Sequence, residues 1–128
     1  MLKIVIVAAL ATAIFGFPSF RDRFPNGYAV PNPCPEGGNW TAAGHFNESG
    51  GGPANPFGVD FLTEGFQWTV KLCNLDSDQD GKSNGEELGD PTCAWTPSNG
   101  FKVSAPTGHP GICEPLDAPA CVNQQKVC

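Results

Sequence analysis

Side-chain oxygens recur at a fixed spacing in the stretch Asp76-Ser77-Asp78-Gln79-Asp80-Gly81-Lys82-Ser83-Asn84-Gly85-Glu86-Glu87. Read as a twelve-position loop, it places Asp76, Asp78, Asp80, Asn84 and Glu87 at positions 1, 3, 5, 9 and 12. Gly81 falls at position 6, where the chain must turn sharply and a Cβ would be in the way. Lys82 at position 7 offers its backbone carbonyl, and Glu87 is long enough to reach back and chelate with both oxygens. A hard dication takes six to eight oxygens, at about 2.3–2.6 Å, and this spacing supplies them. Three aspartates in five residues repel one another unless a cation lies among them. The expected metal set is therefore Asp76, Asp78, Asp80, Lys82, Asn84 and Glu87, and the expected ion is calcium.

The structural alternative is an acidic, solvated turn rich in Asp, Asn and Gly. Position 8 is Ser83, where paired EF-hands carry a β-branched apolar residue, and there is no second loop to pair with. Gly89 and Pro91 cut the exit helix short. The pattern resembles a solitary thrombospondin-type calcium repeat more than a paired EF-hand.

The element that must deliver the chain into Asp76 is a helix over about 60–75. Leu62, Phe66, Val70 and Cys73 form one apolar stripe, Trp68 and Leu72 a narrower second row, and Asp60 can cap the start. Gly65 within it costs about 1 kcal/mol against alanine. Phe101-Lys102-Val103 alternates apolar and polar and reads as a short strand. From Phe17 to Pro35, prolines forbid a helix; an extended arm laying Phe17, Phe20, Phe24 and Tyr28 into pockets fits better, with a turn at Pro25-Asn26-Gly27.

His45 and His109 are a second source of chemistry. Both sit beside glycine in turns, with Glu48 near the first, and could hold copper or zinc as a carrier or for redox or hydrolytic chemistry. The structural alternative is turn-stabilising hydrogen bonding. No zinc-protease helix motif, Cys-x-x-Cys pair or Gly-x-Ser-x-Gly motif is present, so enzymatic turnover is not expected.

The chain has 128 residues and a net charge of −6, concentrated between Asp76 and Asp90. Without a basic patch, nucleic acid and anionic membranes are not expected partners. Gly and Pro are abundant, yet three Trp and nine Phe can form a modest core. Residues 1–16 carry a basic start, an apolar run and small residues, the pattern of a secretory signal peptide cleaved after Gly16 or, alternatively, Ala13. That route makes the six cysteines disulfide candidates and Asn39 and Asn47 acceptor sequons for glycosylation. The expected architecture is a small disulfide-rich α+β, loop-rich single domain. One main helix leads into a solitary calcium loop, with few short strands. The domain spans residues 17–113, followed by a cysteine-containing tail at 114–128.

Several unusual strings recur together: Phe17-Pro18, Pro25-Asn26-Gly27, Gly44-His45, Gly50 through Phe61, Gln67-Trp68-Thr69, Leu72-Cys73, Asp76 through Gly85, Glu87 through Pro91, and His109-Pro110-Gly111. With them the chain resembles the temptin family, the secreted water-borne mating pheromones of gastropod molluscs. The resemblance runs from about Phe17 to Cys113. It implies a secreted, extracellular attractant that acts with other peptide pheromones or a receptor. We expect a monomer. An acidic matrix protein is a further reading, but it would carry repeated acidic runs, and only one is present.

Cys34, Cys73, Cys93 and Cys113 match the family; Cys121 and Cys128 lie in the unmatched tail. Six cysteines allow fifteen pairings. A loop folded around an ion brings its ends together, which favours Cys73–Cys93. Cys34–Cys113 would then join the arm to the far end, and Cys121–Cys128 would close a tail ring. The rival arrangement is sequential, Cys34–Cys73 with Cys93–Cys113.

Overall fold

The computed structural model describes residues 20–128; the signal peptide expected over 1–16 and Phe17 lie outside the described residues. Regular structure among the described residues is sparse. A 3₁₀ turn at Arg21–Arg23 is followed by α1 at Pro56–Thr63, α2 at Val70–Asn74 and α3 at Asn84–Glu87. The β pairing among these residues consists of the isolated bridges Pro31–Asn39 and His45–Ala54. No described helix is long and apolar enough to cross a membrane.

The single helix expected over 60–75 is two. Helix α1 begins earlier, at Pro56, with Asn55 rather than Asp60 as its cap: Asn55 Oδ1 accepts from Gly58 N at 2.9 Å. Proline at the first helical position and asparagine before it are both favoured there. The helix ends in a left-handed reversal at Gly65 (φ 72°) and Phe66 (φ 59°). Gly65 N donates to Leu62 O at 3.0 Å, Phe66 N donates to Phe61 O at 2.8 Å, and the Phe66 ring packs edge-on against Phe61. These are the two bonds and the apolar contact of a Schellman stop. Thr69 then caps α2 through Leu72 N at 3.0 Å. The break rotates the expected stripe apart. Leu62 and Val70 are 59% and 63% exposed, whereas Phe57, Phe61, Leu72 and Cys73 are buried.

The core gathers Phe24, Val30, Trp40, Phe57, Phe61, Leu72, Leu88 and Ile112. Phe20 stacks on Phe66 at 4.6 Å and meets Phe61 edge-on at 6.0 Å; Phe24 meets Phe57 edge-on at 5.4 Å. The N-terminal arm thus docks by Phe20 and Phe24. Tyr28, expected in a pocket, is exposed instead; its hydroxyl donates to Asp22 Oδ1 at 2.8 Å and Arg21 covers its ring. Asn26, in the left-handed region (φ 53°), sends its amide to the carbonyls of Leu88 and Ser104, both at 2.8 Å.

Phe101–Val103 is not a strand. The segment that follows it bonds instead to the end of α3: Ser104 N donates to Gly89 O at 2.9 Å and Thr107 N to Glu87 O at 2.8 Å. With those backbone groups engaged by a helix end, no neighbouring strand is needed.

Three disulfides close the molecule: Cys73–Cys93, Cys34–Cys128 and Cys113–Cys121. The first is the staple expected at the base of the loop. The other two correct the expected Cys34–Cys113 and Cys121–Cys128 pairs. The physical reason lies in the last segment, which folds back. Gln124 clamps Cys113 from both sides, its Oε1 accepting from Cys113 N at 3.0 Å and its Nε2 donating to Cys113 O at 2.8 Å. That clamp leaves Cys121 beside Cys113, and the chain end continues to Cys34.

Candidate metal centre

The acidic loop spans the gap between α2 and α3. Its two ends approach because Asn84 N donates to Leu75 O at 2.7 Å and Cys73 is bonded to Cys93. A Cβ added at Gly85 would strike the Cys73 sulfur and the Asp90 carbonyl, so the loop closes there only with glycine. Ser83 and Glu86 cap α3 reciprocally, with Glu86 N to Ser83 Oγ at 3.1 Å and Ser83 N to Glu86 Oε1 at 3.4 Å.

Backbone N–H groups within the loop aim its carboxylates. Asp76 accepts from Asp80 N at 3.2 Å and Gly81 N at 2.8 Å; Asp78 accepts from Asp80 N at 3.3 Å; Asp80 accepts from Lys82 N at 3.1 Å. Gly81 makes the turn in the left-handed region (φ 94°). One ligand-capable oxygen from each of Asp76, Asp78 and Asp80 lies within 4.8 Å of the others.

Glu87 arrives from α3 with 1% of its surface exposed. Its Oε1 and the Oδ2 of Asp78 are buried without a hydrogen-bond partner. Burial first, then the negative charges of Asp78, Asp80, Glu114 and Asp76, push the Glu87 carboxyl up to about 10. Burial and Asp80 push Asp78 up to about 9. A protein rarely leaves buried carboxylate oxygens unpartnered and facing further carboxylates, since each costs free energy. Asp76, Asp78 and Asp80 form the oxygen cluster, with Glu87 outside it; a hard cation placed among these carboxylates would remove that cost, and an all-oxygen donor set suits calcium.

The amide nitrogen of Asn84 has a structural role beside the expected one of its oxygen. Its Nδ2 donates to Leu72 O at 2.9 Å and Ser77 Oγ at 2.8 Å, and its Oδ1 faces Ser77 N at 3.5 Å. The side chain is fully buried and engaged in tying the loop to α2. Ser77 extends that tie, its hydroxyl donating to Asp60 Oδ2 of α1 at 2.7 Å. Lys82, at position 7 of the loop, has an exposed side chain.

Two buried polar side chains that hold this frame escaped the sequence reading. Asp90 accepts from Trp68 Nε1 at 2.9 Å, Ala94 N at 2.9 Å and Trp95 N at 3.2 Å, fixing the turn that returns the chain to Cys93. Its position before Pro91 was the available signal. Asn55, beyond capping α1, donates to Ala43 O at 2.7 Å and His45 O at 3.1 Å; the Asn-Pro pair was the signal there.

The two histidines flank Trp40. The His45 carbonyl accepts from Trp40 Nε1 at 3.2 Å, and the His109 ring meets Trp40 edge-on at 5.4 Å. Burial lowers His109 to about 3, so the ring is neutral. Its Nδ1 accepts from Gly111 N at 3.0 Å, which places the ring proton on Nε2. His109 Nε2 and His45 Nδ1 are buried without a partner. The sequon residues Asn39 and Asn47 are exposed, and Asn47 Oδ1 accepts from both the N–H (3.0 Å) and the hydroxyl (2.9 Å) of Ser49.

Residues 14–112 match the family model described as Temptin C-terminal. Temptin from Aplysia californica is 45% identical over 113 residues, covering 88% of both chains. No solved structure matches the chain. A family match spanning this much of the sequence, with a relative that aligns over nearly its whole length, places the chain in the temptin family.

Proposed function

We propose that the protein is a secreted, water-borne signalling protein of the temptin type, an attractant that acts with other peptide pheromones or on a receptor. The observation behind this reading is the 45% identity to Aplysia Temptin across 88% of both chains. Three disulfides in a small loop-rich chain suit an oxidising, extracellular setting. The exposed Asn39 and Asn47 are the proposed glycan acceptors.

We further propose one calcium ion in the loop, held by Asp76, Asp78, Asp80, the Lys82 carbonyl, Asn84 Oδ1 and Glu87. The buried, unpartnered Glu87 Oε1 supports it most directly. Bound calcium supplies charge compensation and no chemistry; the side chains supply position. Pulling Glu87 of α3 towards the aspartates that follow α2 would fix the angle between those helices and the exposed surface they carry. Calorimetry on the purified, disulfide-bonded protein tests this. Binding at about 10⁻⁴–10⁻³ M or tighter is expected for an extracellular site. Glu87→Gln should abolish it, and undiminished binding by that variant would move the ion elsewhere. An attraction assay on gastropods with the same protein, with and without calcium, tests the signalling role.

A second reading, copper or zinc at His45 and His109, draws on their unpartnered ring nitrogens. The Gly111 bond weighs against it, because it turns the outer nitrogen of His109 into a donor rather than a lone pair. Metal analysis of the purified protein separates the two readings. Calcium alone favours the first; copper or zinc that leaves on His109→Ala favours the second.

A further inference from the structure

The calcium loop does not stand alone against solvent; residues 107–114 cover one side of it. Thr107 N and Gly108 N donate to the Glu87 backbone carbonyl at 2.8 and 3.4 Å. Gly108 lies against the Glu87 carboxylate itself, so closely that an added Cβ would sit 2.8 Å from Oε2. The next residue, His109, donates its N–H to Glu114 Oε1 at 3.1 Å. One short turn thus touches Glu87 with one residue and holds the Glu114 carboxyl with the next.

That carboxyl is half-buried and oriented by a purpose-built frame. Its neighbour Cys113 is bonded to Cys121 and gripped by the Gln124 amide at both backbone groups. Glu114 also lies within the electric field of the loop. Burial raises its carboxyl, and it feels the negative Asp80 and the positive Lys82, while Glu87 in turn feels Glu114. Collecting a fifth acid around Asp76, Asp78, Asp80 and Glu87 is unfavourable unless positive charge lies among them. The fully buried Glu87, with an unpartnered oxygen, shows that hydrogen bonds do not provide that compensation.

From this juxtaposition we propose that Glu114 contributes a carboxylate to the calcium site from outside the loop, through one bound water. The site is then built from two distant parts of the chain, and the C-terminal segment is part of it. This rests on the calcium reading above.

Calcium calorimetry on the full disulfide-bonded chain tests it, comparing the unaltered protein with Glu114→Gln and Glu86→Gln. Glutamine at 114 keeps an acceptor for His109 N–H, so the turn is retained while the charge is lost; non-reducing peptide mapping and near-ultraviolet circular dichroism check that. Glu86 is exposed, and glutamine there also preserves its capping bond while removing one charge near the loop. Glu114→Gln should weaken calcium binding about tenfold and Glu86→Gln no more than about threefold, because affinity follows the charge of the coordinating groups. Equal effects in the two variants, or no effect of Glu114→Gln, would overturn the inference and leave the loop site intact. Absence of binding by the unaltered protein would overturn the calcium reading and this inference together.

Discussion

Glu87 is a carboxyl with almost no exposed surface, one unpartnered oxygen and like charges as its nearest ionisable company. That state makes a pH dependence with an unusual sign. Asp78 and Glu87 ionise in the unfolded chain near their ordinary values of 3.8 and 4.5, and in the folded, calcium-free protein only at about 9 and about 10. Between those limits the folded state holds protons that the unfolded state has released. Stability therefore falls as pH rises, by up to about 1.4 kcal/mol per pH unit for each proton. Thermal unfolding in chelator should give a lower Tm at pH 8 than at pH 5.5. Saturating calcium should reverse the order, since the ion needs both groups ionised; a calcium-free Tm that climbs with pH would sink the argument. At this scale the clustering of Asp76, Asp78 and Asp80 was legible, because a loop pattern is a purely local spacing. The structural use of Asn84 was not, because the same spacing cannot reveal that Leu72 O and Ser77 Oγ claim its amide nitrogen. The placing of the Glu114 carboxyl on His109 N–H was not legible at all: it depends on a turn and a disulfide far along the chain.

The three short helices owe more to their ends than to their faces. Asn55-Pro56, Thr69 and Ser83 start them, and Gly65-Phe66 stops the first. Apolar periodicity over 60–75 suggested one helix because steps of three and four ignore backbone sign. Gly65 is cheap to read as a tolerated flaw, yet it is the point where the chain turns left-handed and redirects Phe66 onto Phe20 and Phe61. The Asn-Pro start was visible in the sequence and should have outweighed Asp60. Asn55→Ala removes a helix cap and takes the amide donor from the Ala43 carbonyl, while the His45 carbonyl keeps Trp40 Nε1. Urea unfolding should show a loss of about 2–4 kcal/mol, from a cap worth about 1 and an unsatisfied buried carbonyl worth about 1–3. A loss below about 1 kcal/mol would mean that water replaces the amide.

Among the described residues, disulfides and a modest aromatic core stand in place of sheets and long helices. The Cys73–Cys93 bond was legible because both cysteines border one loop. The other two pairs were not, since they depend on the back-folding of residues 114–128. Replacing Cys73 and Cys93 together by serine should weaken calcium binding, because the freed loop has more conformational entropy to surrender. Closure of that loop is worth about 3 kcal/mol in the chain-entropy account, and calorimetry reads how much of it reaches the ion. Unchanged affinity would show that the Asn84 amide and the α3 cap hold the loop alone. The Cys34–Cys128 bond has another consequence, seen in how the molecule wears. It makes residues 34–128 a closed circuit, with Cys73–Cys93 and Cys113–Cys121 as chords inside it. A ring cut once is still one piece. A protease that opens an exposed stretch such as Gly51-Gly52 turns the circuit into an open strand whose two pieces remain joined at Cys34–Cys128. Residues 34–128 thus stay together through a first cleavage anywhere between them.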